Sequence, residues 1–138
     1  MHSKQVLSLT DARDILAGAT AEAYRHNWPV TIAIVDDGGH LLAMQRMDGC
    51  PALSAYVATE KARTAALGRR ETKVYEDMIN QGRFAFLSAP QISATLEGGL
   101  PIFVTGQVAA AIGVSGVRPE QDAQVARAGI AALTAAMA

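Results

Sequence analysis

The sequence predicts an α+β domain built on a five-stranded, mainly antiparallel sheet with helices on both faces. Residues Thr31-Ile32-Ala33-Ile34-Val35 are almost continuously apolar and β-branched, as a strand covered on both sides requires. Asp37-Gly38-Gly39 then supplies the positive-φ residues of a tight hairpin. A second hairpin is written near the other end, where residues 102 to 105, Gly106-Gln107 and residues 108 to 115 read as strand, turn and strand. Helical patterns separate the two antiparallel pairs, so one sheet sandwiched by helices is the simplest arrangement.

The elements follow in order. Ser8, Thr10 and Asp11 offer N-cap chemistry for a first helix that runs to about His26, with Ile15, Leu16, Ala19 and Ala23 as its apolar face. Asn27-Trp28-Pro29 stops it. After the first strand and its turn comes a return strand, Leu41 to Asp48, whose alternation places Leu42, Met44, Arg46 and Asp48 on one face. An Ala-rich helix is expected from about Leu53 to Leu67, and on it Val57, Lys61, Thr64 and Gly68 form one stripe. Thr72 caps a shorter amphipathic helix through Val74, Met78 and Ile79, and residues 82 to 90 read as a loop or loose helical turn. Ile92 to Leu96 is the third expected strand, followed by the Gly98-Gly99 turn and by Pro101, which belongs at a strand start or an edge. In the last strand Val108, Ala110, Ile112 and Val114 face one way, while Ala109, Ala111, Gly113 and Ser115 face the other. A face of only Ala, Gly and Ser implies a backbone pressed against it. Pro119 at a first helical position, with Glu120 and Asp122 in the first turn, opens a C-terminal helix through Val125, Gly129, Ile130 and Leu133.

A chain of 138 residues makes one domain, 1–138. Half of it is hydrophobic, yet it has one Trp, three Tyr and three Phe, so small and aliphatic side chains must do the packing. Surfaces of that kind also suit self-association, and a homo-oligomer is expected. A net charge of −1, with dispersed basic residues, argues against a nucleic-acid partner. The single cysteine, Cys50, excludes an intrachain disulfide and a multi-cysteine zinc site. Met1-His2-Ser3-Lys4-Gln5 runs directly into a helix start, and no stretch approaches the ~18 apolar residues of a membrane span. A cytoplasmic protein without a membrane partner is the expectation. Phosphate-binding glycine motifs and histidine pairs at metal-ligand spacing are absent, which argues against nucleotide chemistry and metal-assisted hydrolysis.

Three polar clusters exceed what a core needs: Asp36-Asp37-Gly38-Gly39-His40, Arg46-Met47-Asp48-Gly49 and Glu60-Lys61-Ala62-Arg63-Thr64. Lys61, flanked by alanines that let its helix lie close to the sheet, is expected to reach Asp48. Arg46 can then hold a substrate carboxylate in its fork. Lys61 and Asp48 can move a proton, and the amides of Gly98 and Gly99 can stabilise an oxyanion, with Thr64 on the same helix stripe. Such groups suit hydrolysis, deamination or proton transfer on a small organic acid. The alternative is that Arg46, Asp48 and Lys61 lock strand to helix, or join two subunits. Of His2, His26 and His40, His26 lies in the last turn of the first helix, where the helix dipole favours it.

In order and register, several motifs resemble the GlcG/HbpS family, which includes the C-terminal domain of PduO-type proteins. They run from Leu9-Thr10 and Pro29-Val30 through Val35 to His40, Arg46-Met47-Asp48-Gly49 and Lys61-Ala62-Arg63-Thr64-Ala65. They continue through Gly98-Gly99-Leu100-Pro101 and residues 111 to 116 to Gln121-Asp122 and Ala128-Gly129. The resemblance implies a profilin-like α/β/α sandwich, assembly into dimers, tetramers or octamers, and haem or a related tetrapyrrole as cofactor. It also implies His26 as axial iron ligand, since a histidine near this helix end serves so in some corrinoid-associated relatives. Two positions depart from the family pattern: Trp28 stands where glycine is frequent, and Ala110 where glycine is common. Three functional classes follow: a tetrapyrrole-binding protein, an enzyme on a small carboxylated metabolite, and a non-catalytic assembly partner.

Overall fold

The structure is a computed structural model describing residues 1–138. Helix α1 (Leu9–Arg25) leads into the hairpin β1 (Thr31–Asp36) and β2 (Leu41–Arg46). Helices α2 (Leu53–Gly68) and α3 (Thr72–Asn80) follow, then a 3-10 turn (Phe84–Ser88). The hairpin β3 (Gly99–Val104) and β4 (Gln107–Ser115) precedes the C-terminal helix α4 (Pro119–Met137). The expected capping of α1 is met by Ser8, whose hydroxyl accepts from the Asp11 N–H while the Asp11 carboxylate accepts from the Ser8 N–H.

The sheet has four antiparallel strands in the order β2-β1-β4-β3, one fewer than the sequence predicts. The missing strand is residues 92 to 96, where a side chain of α2 claims the backbone. Thr64 Oγ1 of α2 donates to the Ser93 carbonyl (2.6 Å) and accepts from the Ser93 N–H (3.1 Å), capping both backbone groups a neighbouring strand would use. Gln91 and Ala94 also adopt left-handed conformations, with φ of 62° and 48°. The segment is a strap tied to α2.

Helices cover both faces, as expected. Ile32 and Ile34 of β1 and Ala110, Ile112 and Val114 of β4 pack on Ala12, Ile15, Ala19 and Ala23 of α1 and on Val125, Ala126 and Leu133 of α4. On the other face Ala33, Val35 and Ala111 meet Ala58, Ala62, Ala65 and Ala66 of α2. The small-residue face of β4 does admit a backbone: a Cβ on Gly113 would collide with the Ala58 carbonyl and the Ala62 amide of α2, and one on Gly99 with the Lys61 carbonyl.

Simple alternation fails at two bulges. Leu41 pairs with Val35 and Ala43 with Ile34, so Leu42 is an extra residue that turns to the α1–α4 side, away from Met44. In β4, Val108 pairs with Phe103 and Ala110 with Ile102, leaving Ala109 unpaired. Val108 consequently shares a cavity with Ala66 of α2, and Ala109 shares a groove with Leu133 of α4, the reverse of the parity expected.

Candidate functional site

The residues singled out in the sequence fall into three places. Lys61 and the double glycine do meet. Lys61 lies in the middle of α2, whose alanines bring it so close to the sheet that the lysine is 3% exposed. Its ammonium donates to the Val114 carbonyl at the end of β4 (2.8 Å) and to Asp122 Oδ2 in the first turn of α4 (3.0 Å). Gly98 sits over this junction at φ +130°, where a Cβ would be 2.8 Å from Lys61 Nζ. Thr72 fixes the strap beside it, accepting from the Gly99 N–H (2.9 Å) and donating to the Leu96 carbonyl (2.5 Å). Burial pushes the Asp122 carboxyl up to about 6, against the pull of the Lys61 ammonium and the Val117 N–H. Charge buried this deeply and paired joins α2, β4 and α4.

The contact expected between Lys61 and Asp48 is not made. Lys61 spends its donors on Val114 and Asp122, while Arg46 and Asp48 are exposed and form no ion pair or side-chain hydrogen bond. The reason is register. Arg46 closes β2 opposite Thr31 and Asp48 lies in the turn beyond, at an edge strand, whereas Lys61 leans toward β4 and β3. Arg46, Asp48 and Lys61 therefore do not form one catalytic group. Thr64 stands one turn along α2 from Lys61, with both faces of its hydroxyl committed to Ser93.

His26 occupies a corner on the opposite side of the sheet. The end of α1 is a Schellman motif: Asn27, at φ 57°, sends its N–H to the Tyr24 carbonyl (3.1 Å) and Trp28 to the Ala23 carbonyl (2.9 Å). That reversal folds the indole back onto His26, and the rings stack with centroids 4.3 Å apart at 17°. His26 Nε2 lies 3.3 Å from both Glu22 Oε2 and the Gln124 amide nitrogen, whereas Nδ1 makes no hydrogen bond within the chain. Glu22 is itself buried and takes further bonds from Gln124 (2.8 Å) and Arg25. The imidazole thus has one nitrogen against a carboxylate and an amide and the other without a partner in the chain, with 37% of the side chain exposed, so Nδ1 is the nitrogen open to a ligand.

The Asp36 turn is a structural device. Its carboxylate accepts from the N–H groups of Gly38 and His40, both at 2.9 Å, and lies 3.0 Å from His40 Nδ1. Sequence reasoning missed Asp122 as a partner, and missed Glu22 and Gln124 altogether. A signal existed for Asp122, since a second acid in the first turn of α4 exceeds what the helix dipole asks for. None existed for Glu22 and Gln124, which lie 102 positions apart and meet only when α1 and α4 pack.

Residues 7–131 match the family model described as haem degrading protein HbpS-like. Protein GlcG of Escherichia coli K12 is 56% identical over 115 residues, covering 83% of this chain and 85% of that protein. The crystal structure of Klebsiella pneumoniae protein ORFY superimposes with a TM-score of 0.88 at 30% identity, over 98% of this chain and 97% of that one. A crystal structure of a PduOC:haem complex does so at 0.83 and 28% identity, over 93% and 95%.

Proposed function

The chain belongs to the HbpS-like family, and from that premise we propose that it binds haem or a related tetrapyrrole, with His26 as the axial ligand. One observation carries the choice of residue: His26 alone among the histidines has a buried carboxylate 3.3 Å from one ring nitrogen and a second nitrogen without a partner in the chain. The donor set fits an iron centre. Glu22 and Gln124 hold the orientation of the ring, and Trp28 braces it by stacking on its face. Bound there, the group would supply the one-electron and oxygen chemistry that these side chains lack.

His26 lines none of the four principal surface cavities, so closing a site around it would fall to another copy of the chain. Self-association has support elsewhere on the surface. Leu53 and Tyr56 of α2 are exposed one turn apart and lead to Thr59, whose hydroxyl reaches Met44 Sδ on the edge strand β2. That edge leaves Leu41 and Met44 uncovered.

Haemin titration followed by absorbance tests the reading. A saturable Soret band is expected, lost or displaced in His26→Ala and shifted in Glu22→Gln, which alters the second nitrogen's partner. Absence of saturable binding removes the tetrapyrrole reading, whereas a spectrum indifferent to His26→Ala removes His26 from the site. No observation favours a reaction on a small metabolite through Arg46, Asp48 and Lys61, because those side chains are not assembled.

A further inference from the structure

At the opposite end of the sheet from the Lys61 junction, a cavity of about 340 Å³ opens between the end of α2, the β3–β4 hairpin and the N-terminal segment. Unlike the other principal cavities, it is lined mostly by polar residues. Arg69 ends α2 in a left-handed conformation, φ 56°, at a position where glycine is the usual and unstrained residue. Its guanidinium forms no hydrogen bond or ion pair within the chain, although it lines the cavity. Lys4 lies across from it, tethered by Asp37 Oδ2 at 2.8 Å. The bulge at Ala109 turns Val108 inward, and Phe103, 57% exposed on the edge strand, forms an apolar wall with it. The side-chain amide of Gln107 is likewise without a partner in the chain. Lys4 and Arg69 against Asp37 leave one unit of positive charge, with His2 alongside them in the lining.

From this juxtaposition we propose that the cavity bounded by Arg69, Lys4, Gln107 and Phe103 binds a small monocarboxylate with a flat apolar body. The guanidinium fork takes the carboxylate in a bidentate, charge-assisted pair. Gln107 adds a hydrogen bond, and Phe103 and Val108 cover the apolar part. The site is separate from His26 and independent of tetrapyrrole binding.

Benzoate is the probe, with acetate and inorganic phosphate as comparisons, in amide NMR titrations of the whole chain. Saturable shifts are expected at residues 66–70 and 103–108, with His26 and Trp28 undisturbed and affinity unchanged in His26→Ala. Acetate, lacking the apolar body, should bind at least tenfold more weakly. Arg69→Gly separates a ligand role from a structural one, because glycine suits the left-handed backbone and the variant should melt higher while losing at least tenfold in benzoate affinity. Gln107→Ala should lose several-fold. Non-saturable shifts, wild-type affinity in Arg69→Gly, or phosphate binding more tightly than benzoate would each overturn the assignment.

Discussion

Replacing Lys61 by methionine gives the most demanding test of the junction beneath Gly98. The substitution keeps the length of the side chain and removes only the ammonium, leaving a carboxylate that is 3% exposed with the Val117 N–H as its remaining partner. Breaking a buried pair from one side typically costs about 3–5 kcal/mol. Asp122 already has its carboxyl raised to about 6 with the lysine present, and without it the group can take a proton more readily, so the lower part of that range applies at pH 7. With a urea dependence of about 2 kcal/mol/M, a loss of about 3 kcal/mol moves the unfolding midpoint down by roughly 1.5 M, readable by far-ultraviolet circular dichroism. Two controls sharpen the result. The cost should shrink at pH 5, where the stranded carboxyl is protonated in the folded state, and Lys61→Met combined with Asp122→Leu should recover most of the loss. A change below about 0.5 kcal/mol at pH 7, the value for a solvated lysine, or a double variant no more stable than the single, would refute the buried-pair account.

Other expectations are equally direct. Gly113→Ala puts a methyl group into the Ala58 carbonyl and Ala62 amide, and should cost about 1–3 kcal/mol as overpacking does, seen as a lower Tm with unchanged helix content. Acid titration should show two carboxylates acting with opposite sign. Asp36 is favoured as the anion because, although burial raises its pKa, the N–H groups of His40 and Gly38 and the His40 ring together lower it. Its contribution is present above the unfolded value of 3.8 and is lost as pH falls through the lower folded value, so Asp36→Asn should flatten the acid limb of Tm against pH. Asp122, raised from 3.8 to about 6, adds stability as pH falls across that window and loses it as pH rises through about 6.

The elements were legible because their signals are local. Ser8 and Asp11 mark the start of α1, Pro119 marks that of α4, and the β-branched run from Thr31 to Val35 has no other use than a doubly covered strand. The strand expected at residues 92 to 96 failed because the deciding group, the Thr64 hydroxyl, lies 29 positions away and outcompetes a neighbouring strand for Ser93. Parity failed at Leu42 and Ala109 for a related reason. A bulge adds a residue without changing the local pattern of hydrophobicity, so alternation is read correctly up to it and inverted past it. The same limit governed the site. Lys61 with Gly98 and Gly99 was recognisable as a meeting point, but its counter-ion was assigned to Asp48 because a carboxylate close in sequence is easier to see than Asp122, 61 positions away.

The glycines beneath α2 have a consequence for how ligands reach this molecule. Gly99 and Gly113 stand opposite each other on adjacent strands, and carbonyls of α2 rest on both. The helix is thereby seated closer to the sheet than even an alanine methyl at either position would permit, and the layer between them has no thickness to give up. A guest molecule cannot intercalate there without prising the helix off its bed. Uptake at the periphery requires no such breathing, so association should proceed at rates set by diffusion and orientation, insensitive to substitutions that loosen the alanine layer.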